Sequence, residues 1–350
     1  MNRTYTKLGD IATYTNGYAF KPKDRGSKGL PIIRIQDLTG SVEDKGYYNG
    51  KYPANIEINN GNVLISWSAS LGIYVWNGGK ALLNQHIFKV EFNKKEINRD
   101  YFVYAVKYNL SKMKQLTHGA TMKHVTKKDF ENVTIPYPSL SEQKKMAFVL
   151  NMVNKSLSLK LQELNKLDEL IKARFVEMFG DPICNSLNKP VDFFINVVKL
   201  QRGYDLPVKK RNSNGDIPVF GSNGVLGYHT EFKAKHGIIT GRSGTIGNVY
   251  REDGKYWPLN TSLFSVDTHG NNIVYLQYLL QMFRLERFYN GAGVPTLNRN
   301  DVHKQKIIRT PLELQNEFAD FVQQVDKSKF ENIVYLNKKL LSKIINKIGR

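Results

Sequence analysis

Pro136-Tyr137-Pro138-Ser139-Leu140-Ser141-Glu142-Gln143 reads as the start of a long helix. The two prolines bar helix before it, because proline lacks a backbone N–H and its ring clashes with the preceding turn. Ser139 followed three residues on by Glu142 makes a capping-box pattern, with Ser141 as a rival cap. Apolar residues then fall at Met146, Leu150, Val153, Leu157, Leu161, Leu164, Leu167, Ile171, Phe175 and Met178. The steps are threes and fours, the spacing of a coiled-coil seam. Gly180-Asp181-Pro182 ends the pattern. A helix of about 38 residues spans about 57 Å at the standard rise per residue.

The same passage returns 172 residues later without a gap: Asp129 as Asp301, Ile135 as Ile307, Leu140 as Leu312, Gln143 as Gln315, Ala147 as Ala319, and Leu164-Asn165-Lys166 as Leu336-Asn337-Lys338. Gly119-Ala120 and Gly291-Ala292 keep that spacing. The second helix begins at Pro311-Leu312 and carries Phe318, Val322, Val325, Leu341 and Ile344 on its apolar stripe. A weaker echo sets Gly17-Tyr18 against Gly203-Tyr204, and Ser70-Leu71-Gly72 against Thr245-Ile246-Gly247. Two copies of one unit predict a pseudo-two-fold molecule. One amphipathic helix packed on its own domain is the plain alternative for each copy. Two matching copies favour a mutual, antiparallel coiled coil instead.

Ahead of each helix lies a Gly-, Tyr- and β-branched-rich stretch. Leu30 to Ile35, Val63 to Trp67 and Ile73 to Trp76 read as short strands cut by Gly and Asn turns. Asp100 to Leu110 looks helical, with Asp100 as its cap. The fold class is therefore α+β, with four segments: a first strand-rich domain at 1–138, a helix at 139–180, a second domain at 181–310 and a helix at 311–350.

Apolar residues make up 41% of the chain, with 19 Tyr and 18 Phe, enough for packed cores. The net charge is +20. Such an excess opposes compaction and points to an anionic partner. No apolar stretch approaches the roughly 20 residues of a spanning helix, and the opening Met1-Asn2-Arg3-Thr4 lacks a signal-peptide core. Nucleic acid is thus favoured over membrane, and the expected location is the cytoplasm. Cys184 is the sole cysteine, which excludes a disulfide framework and a cysteine metal site.

No catalytic motif is present. Gly241-Arg242-Ser243-Gly244-Thr245-Ile246-Gly247 lacks the Gly-Lys-Ser/Thr ending of a phosphate loop, and no helical pattern follows it. The seven His residues form no metal pair at helical spacing. Polar and basic residues gather instead at strand ends and loops. In the first domain these are Lys21, Arg34, Gln36, Ser66, Ser68, Ser70, Asn84, Gln85, His118, Thr121, Lys123 and His124. In the second they are Lys209, Arg211, Ser222, Asn223, Arg242, Ser243, Thr245, Asn260, Arg284, Thr296, Asn298 and Arg299. Singly, each is an ordinary surface residue. As a set they carry the groups that neutralise phosphates and read base edges. Tyr18, Tyr204, Trp67 and Phe220 are expected in the core or on strand faces. Two rival readings are a nuclease built on the repeated Asp129 and Asp301, and a scaffold that binds protein alone.

Five stretches carry a family resemblance: Leu8-Gly9-Asp10-Ile11 with Gly17-Tyr18, Ile135 to Gln143, Phe175 to Pro182, Gly215 to Gly224, and Gly241 to Tyr250. Their order resembles that of the specificity subunits of type I restriction-modification systems, over nearly the whole chain. The resemblance implies two target recognition domains, each reading one half of a bipartite double-stranded DNA site. It implies antiparallel spacer helices that set the gap and dock the modification (methyltransferase) subunits, and through them the restriction subunits. It implies no catalysis and no cofactor in this chain, with S-adenosylmethionine, ATP and Mg held by the partner subunits. The second copy has Glu313-Leu314-Gln315 where the first has Ser141-Glu142-Gln143, and it stops at Arg350, so partner contacts are expected to differ there.

Overall fold

The computed structural model describes residues 4–40, 46–68, 70–115, 125–211, 214–290 and 293–348; for 111–115 and 335–348 only the backbone is described. The chain forms two compact units, residues 1–156 and 157–350, and the boundary falls inside the helix Leu140–Phe179.

The first unit holds two four-stranded sheets. In one, Thr13–Asn16, Ile87–Glu91, Val63–Ser66 and Gly72–Val75 lie side by side, all antiparallel. In the other the order is Tyr47–Tyr48, Leu30–Ile33, Ala81–Leu83 and Glu57–Ile58, with Leu30–Ile33 and Ala81–Leu83 parallel. The helix Arg99–Gln115 buries Phe102 and Val106 in a core with Tyr14, Phe88 and Phe130. Its cap is Asn98, whose side chain accepts from the Tyr101 N–H at 3.0 Å. Asp100 sits in the first turn, where it bonds Asn151 and Arg99, which corrects the expected cap.

The second unit holds a six-stranded sheet: Lys199–Arg202, Ser262–Asp267, Ala234–Gly241, Val249–Pro258, Ile217–Gly221 and Gly224–His229 in spatial order. Its one parallel pair joins Ile217–Gly221 to Val249–Pro258. The helix Ile273–Phe283 covers it, with Leu276, Leu279 and Leu280 fully buried. A two-stranded ribbon closes each unit, Tyr5–Lys7 with Thr134–Pro136 and Val191–Phe193 with Lys306–Ile308. The later strands are 172 residues apart, so the sequence repeat is a repeat of structure.

The capping box forms at Ser139: its N–H donates to Glu142 Oε2 at 2.9 Å and its Oγ accepts from the Glu142 N–H. The helix Leu140–Phe179 follows, and Leu312–Ile348 is its counterpart. Within the second unit the two run antiparallel: Arg174 meets Glu317, Asp168 meets Lys329, and Lys160 meets Asn332. Lys160 and Asn332 are 172 residues apart. Each is the other's repeat equivalent.

The leucine seam needs correcting. Ile171, Phe318, Val322 and Val325 are buried, with Phe175 and Phe179 beside them. Val153 and Leu164 are half-buried. Met146, Leu150, Leu157 and Leu161 keep 47, 38, 40 and 54% of their surface exposed. At the crossing the contact is carried by polar side chains rather than leucine knobs: Lys160 Nζ reaches Glu163 at 2.6 Å and Asn332 at 2.9 Å, and Asn332 donates to Glu163 at 2.9 Å. The long stems span the gap, and the flanking leucines stay partly open. Leu341 and Ile344 lie where only backbone is described.

Candidate nucleic-acid interface

In both units the polar loops gather at the carboxyl ends of strands. In the first, Arg34 and Gln36 follow Leu30–Ile33, Asn84 and Gln85 follow Ala81–Leu83, and Ser68 and Ser70 follow Val63–Ser66. All six line one hollow of about 580 Å³, together with Arg25 and His86. The first two strands are parallel, so their ends open on the same side.

The second unit repeats the plan. Ser222 and Asn223 form the two-residue turn after Ile217–Gly221, Asn260 follows Val249–Pro258, and Arg242 and Ser243 follow Ala234–Gly241. The Arg242 and Ser243 N–H groups both donate to the Thr261 carbonyl, at 2.9 and 3.1 Å. Ser243 bridges to Thr296, and Arg242 Nη1 donates to the Asn260 carbonyl at 3.2 Å. Thr245 is exposed in the same loop. Arg211 and Asn260 line a smaller hollow of about 250 Å³ beside this edge.

The same backbone contact is made within each edge. Gly17 and Gly203 each donate an N–H at 3.1 Å, to Ile87 and Ser262, and Tyr18 and Tyr204 each donate at 2.8 Å, to Leu83 and Pro258. A Cβ on Gly17 would lie 2.2 Å from the Asn84 carbonyl oxygen, and one on Gly203 would lie 2.2 Å from that of Leu259. The backbones approach too closely for any side chain, which accounts for the repeated Gly-Tyr pair. Tyr18 and Tyr204 are 42 and 37% exposed, so of the two expected settings, core or strand face, these rings do not take the core. Phe220 is buried.

Other candidates have structural duties. Ser66 is fully buried, and its hydroxyl donates to the Ser70 and Gly72 carbonyls. It cannot reach a partner: alternate residues of a strand face opposite sides, and the strand Val63–Ser66 is buried on both. Arg34 lines the hollow but is 8% exposed, and Asp37 accepts from its Nε at 2.9 Å and from its Nη2 at 3.3 Å. Asn298 caps the helix Arg299–His303, with Arg299 exposed at its first position. Arg284 ends the helix Ile273–Phe283 in the left-handed region, with φ 56°. Lys21 and Lys209 are exposed on short turns. His118, Thr121, Lys123 and His124, with Gly119-Ala120 and Gly291-Ala292, lie outside the described residues. Asp129 binds Thr126 at the start of its own helix, and Asp301 lies within 3.5 Å of the Asn290 amide. Both are local structural contacts, and among the described residues no three His, Cys, Asp or Glu gather to hold a metal.

A pair of residues that sequence reading marked only as repeated proves to be the joint between each head and its helix. Gln143 and Gln315 are both 1% exposed. The Gln143 carbonyl accepts from the Asn98 N–H at 2.9 Å and its amide donates to the Pro138 carbonyl at 2.9 Å. The Gln315 carbonyl accepts from the Asn272 N–H at 2.9 Å, and its amide donates to the Thr310 carbonyl at 2.9 Å and to Asn271 Oδ1 at 2.7 Å. One glutamine thus ties the first turn of a long helix to the capping residue of the head's main helix, twice. A neutral amide suits the task because it offers an acceptor and two donors at once.

A strand-rich head with its polar loops at one edge, bolted to a long helix by one glutamine, is built twice in tandem. The chain belongs to the family of the type I restriction modification DNA specificity domain, whose profile matches residues 3–169 and 195–342. It is 26% identical over 197 residues to the type I restriction enzyme EcoBI specificity subunit of Escherichia coli, covering 55% of this chain and 41% of that protein. It is 30% identical over 177 residues to the MjaVIII specificity subunit of Methanocaldococcus jannaschii, covering 49% and 41%. These matches thus take in less than half the length of either curated relative. The fold is that of the type I restriction-modification S subunit from M. genitalium, with a TM-score of 0.61, 15% identity, and 99% and 95% of the two chains covered.

Proposed function

We propose that this chain is the DNA-recognition subunit of a type I restriction-modification complex and carries out no chemistry itself. Each head, 1–138 and 181–310, reads one half of a bipartite duplex site, and the helices 139–180 and 311–350 set the gap and dock methyltransferase subunits. The observation that carries this reading is the duplication itself: the same polar edge on the same glutamine-bolted helix, made twice from one chain. A net charge of +20 supplies the attraction to phosphates. Arg, Asn, Gln and Ser at the edges have the forked or short polar groups that discriminate bases by about 1–3 kcal/mol per good pair. Methylation, and any cleavage, fall to partner subunits that bind S-adenosylmethionine, ATP and Mg, and the complex works in the cytoplasm. No described helix is long and apolar enough to cross a membrane.

Genome-wide mapping of methylated bases in the host, with and without the gene, tests the proposal. A bipartite motif present only with the gene is the expected result. An unchanged methylation pattern in a host whose methyltransferase subunits are expressed contradicts it.

A further inference from the structure

Three lysines outside the loop edge lie on aromatic rings at one end of the strand pair Ala234–Gly241 with Val249–Pro258 in the second unit. Lys235 and Lys255 are directly opposed in the antiparallel register of Ala234–Gly241 with Val249–Pro258. Their ammonium groups lie 5.0 and 4.9 Å from the centre of a single ring, Phe232. Lys233 lies 5.0 Å over Trp257 and 5.9 Å over Tyr204. All three lysines are exposed, and none forms an ion pair among the described residues. The nearby acids are turned elsewhere: Glu252 accepts from the Gly254 N–H, and Asp253 pairs with Arg251. Glu231, the carboxylate nearest in sequence to Lys233, makes no ion pair with any of them among the described residues.

Like charges directly across a strand pair destabilise a sheet. An arrangement that sets two lysines opposite each other, and a third two residues along, is disfavoured in the free protein. It is favoured once an anion sits between them. We propose that Lys233, Lys235 and Lys255 form a phosphate clamp for the DNA backbone flanking the half-site of the second head. This deepens the DNA-recognition reading and rests on it. Continuity with the edge supports the choice of ligand: Lys233 stacks on Tyr204, whose carbonyl accepts from the Asn260 N–H at 3.0 Å, and Asn260 belongs to the loop edge. The rings of Phe232, Tyr204 and Trp257 hold the ammonium groups in place without neutralising them. The clamp adds affinity and register and carries no sequence information, because it touches phosphates alone.

The clamp and a merely structural cluster are separated by a variant that moves stability and binding in different directions. Full-length chain, wild type and Lys235→Gln/Lys255→Gln, is titrated with fluorescent duplexes across a salt series, and both proteins are melted. The clamp predicts a melting temperature held or raised, because the opposed charges are gone. It predicts a slope of log K against log salt smaller by about 1.8, at about 0.9 per phosphate released. The weakening is equal on specific and unrelated duplexes. Lys233→Gln alone gives half that change. An unchanged slope overturns the clamp, as does a loss confined to the cognate sequence, or a loss accompanied by a lower melting temperature. Wild-type chain that shows no salt-dependent DNA binding even when assembled with its methyltransferase subunits removes the recognition reading, and the clamp with it.

Discussion

Replacing Gln315 by leucine leaves a side chain of similar bulk with no polar atom, at a position 1% exposed. Three hydrogen bonds disappear, to Asn272, Thr310 and Asn271. Two of the orphaned partners are backbone groups, the Asn272 N–H and the Thr310 carbonyl, and Thr310 is itself buried. Each unsatisfied buried group costs about 1–3 kcal/mol, which puts the substitution at about 2–6 kcal/mol. In a unit of this size, each kcal/mol moves the melting temperature by about 2–4 °C. Gln143→Leu strands the matching pair, the Asn98 N–H and the Pro138 carbonyl, but has no third partner to lose. Its cost is the smaller of the two. Urea unfolding of the full chain, fitted to two transitions because the chain has two compact units, gives the sizes. Hydrogen exchange at the Asn272 amide locates the effect. Exposed Gln323→Leu is the control, expected within about 0.5 kcal/mol of wild type. If Gln315→Leu also falls within that margin, the joint is incidental and the reasoning fails.

Gly17→Ala and Gly203→Ala force a Cβ into carbonyl oxygens 2.2 Å away, and each is expected to cost about 1–3 kcal/mol, the usual range for overpacking, in the same unfolding assay. His303 accepts a hydrogen bond from the Leu200 N–H through Nε2 at 3.0 Å, so its ring is neutral. Burial, with Arg299 and Lys199 nearby, holds its pKa below the ordinary 6.5. The unfolded chain therefore takes up this proton first, and stability present above about pH 6.5 declines as pH falls through the folded-state value. His303→Gln is expected to flatten that part of a pH–stability profile. Lys329 is shared by Asp168 at 2.6 Å and Asp326 at 3.1 Å. Burial opposes its charge, yet the two carboxylates leave its pKa raised overall. With Asp168 mostly exposed, Asp168→Asn is expected to cost under about 1 kcal/mol, and less still in high salt.

The duplication, the α+β class and the helix start at Ser139 were legible because they rest on local chemistry: a proline stop, a capping box and an unbroken spacing. The short strands at Leu30, Val63 and Gly72 were legible through β-branched runs between turns. The seam was misread in part because a three-four period marks an apolar stripe, not what covers it. Lys160, Glu163, Asn332 and Lys329 sit among the leucines, and their long side chains fill the crossing that Leu157 and Leu161 were expected to fill. Among the edge candidates, residue type could not tell Ser66, sealed in the core with its hydroxyl on two backbone carbonyls, from Ser68 and Ser70, which line the hollow, Ser68 from a position only 2% exposed. The difference lies in position along the chain: Ser66 is inside the strand Val63–Ser66, and the other two are in the loop beyond it. Asn98 was missed as a cap because Asp100, two residues later, fits the same preference. Gln143 and Gln315 carried a usable signal: a polar residue repeated at one turn into each helix, with no reason to be there unless it has partners inside.

Exchange of residues 183–310 for the same segment of a relative with a different target tests the account at its centre. Methylated sites are then mapped in the host. One half-site changes while the other half-site and the number of base pairs between them stay as they were. A swap that alters both halves, or neither, contradicts the view that two independent heads read the DNA from fixed positions on their helices.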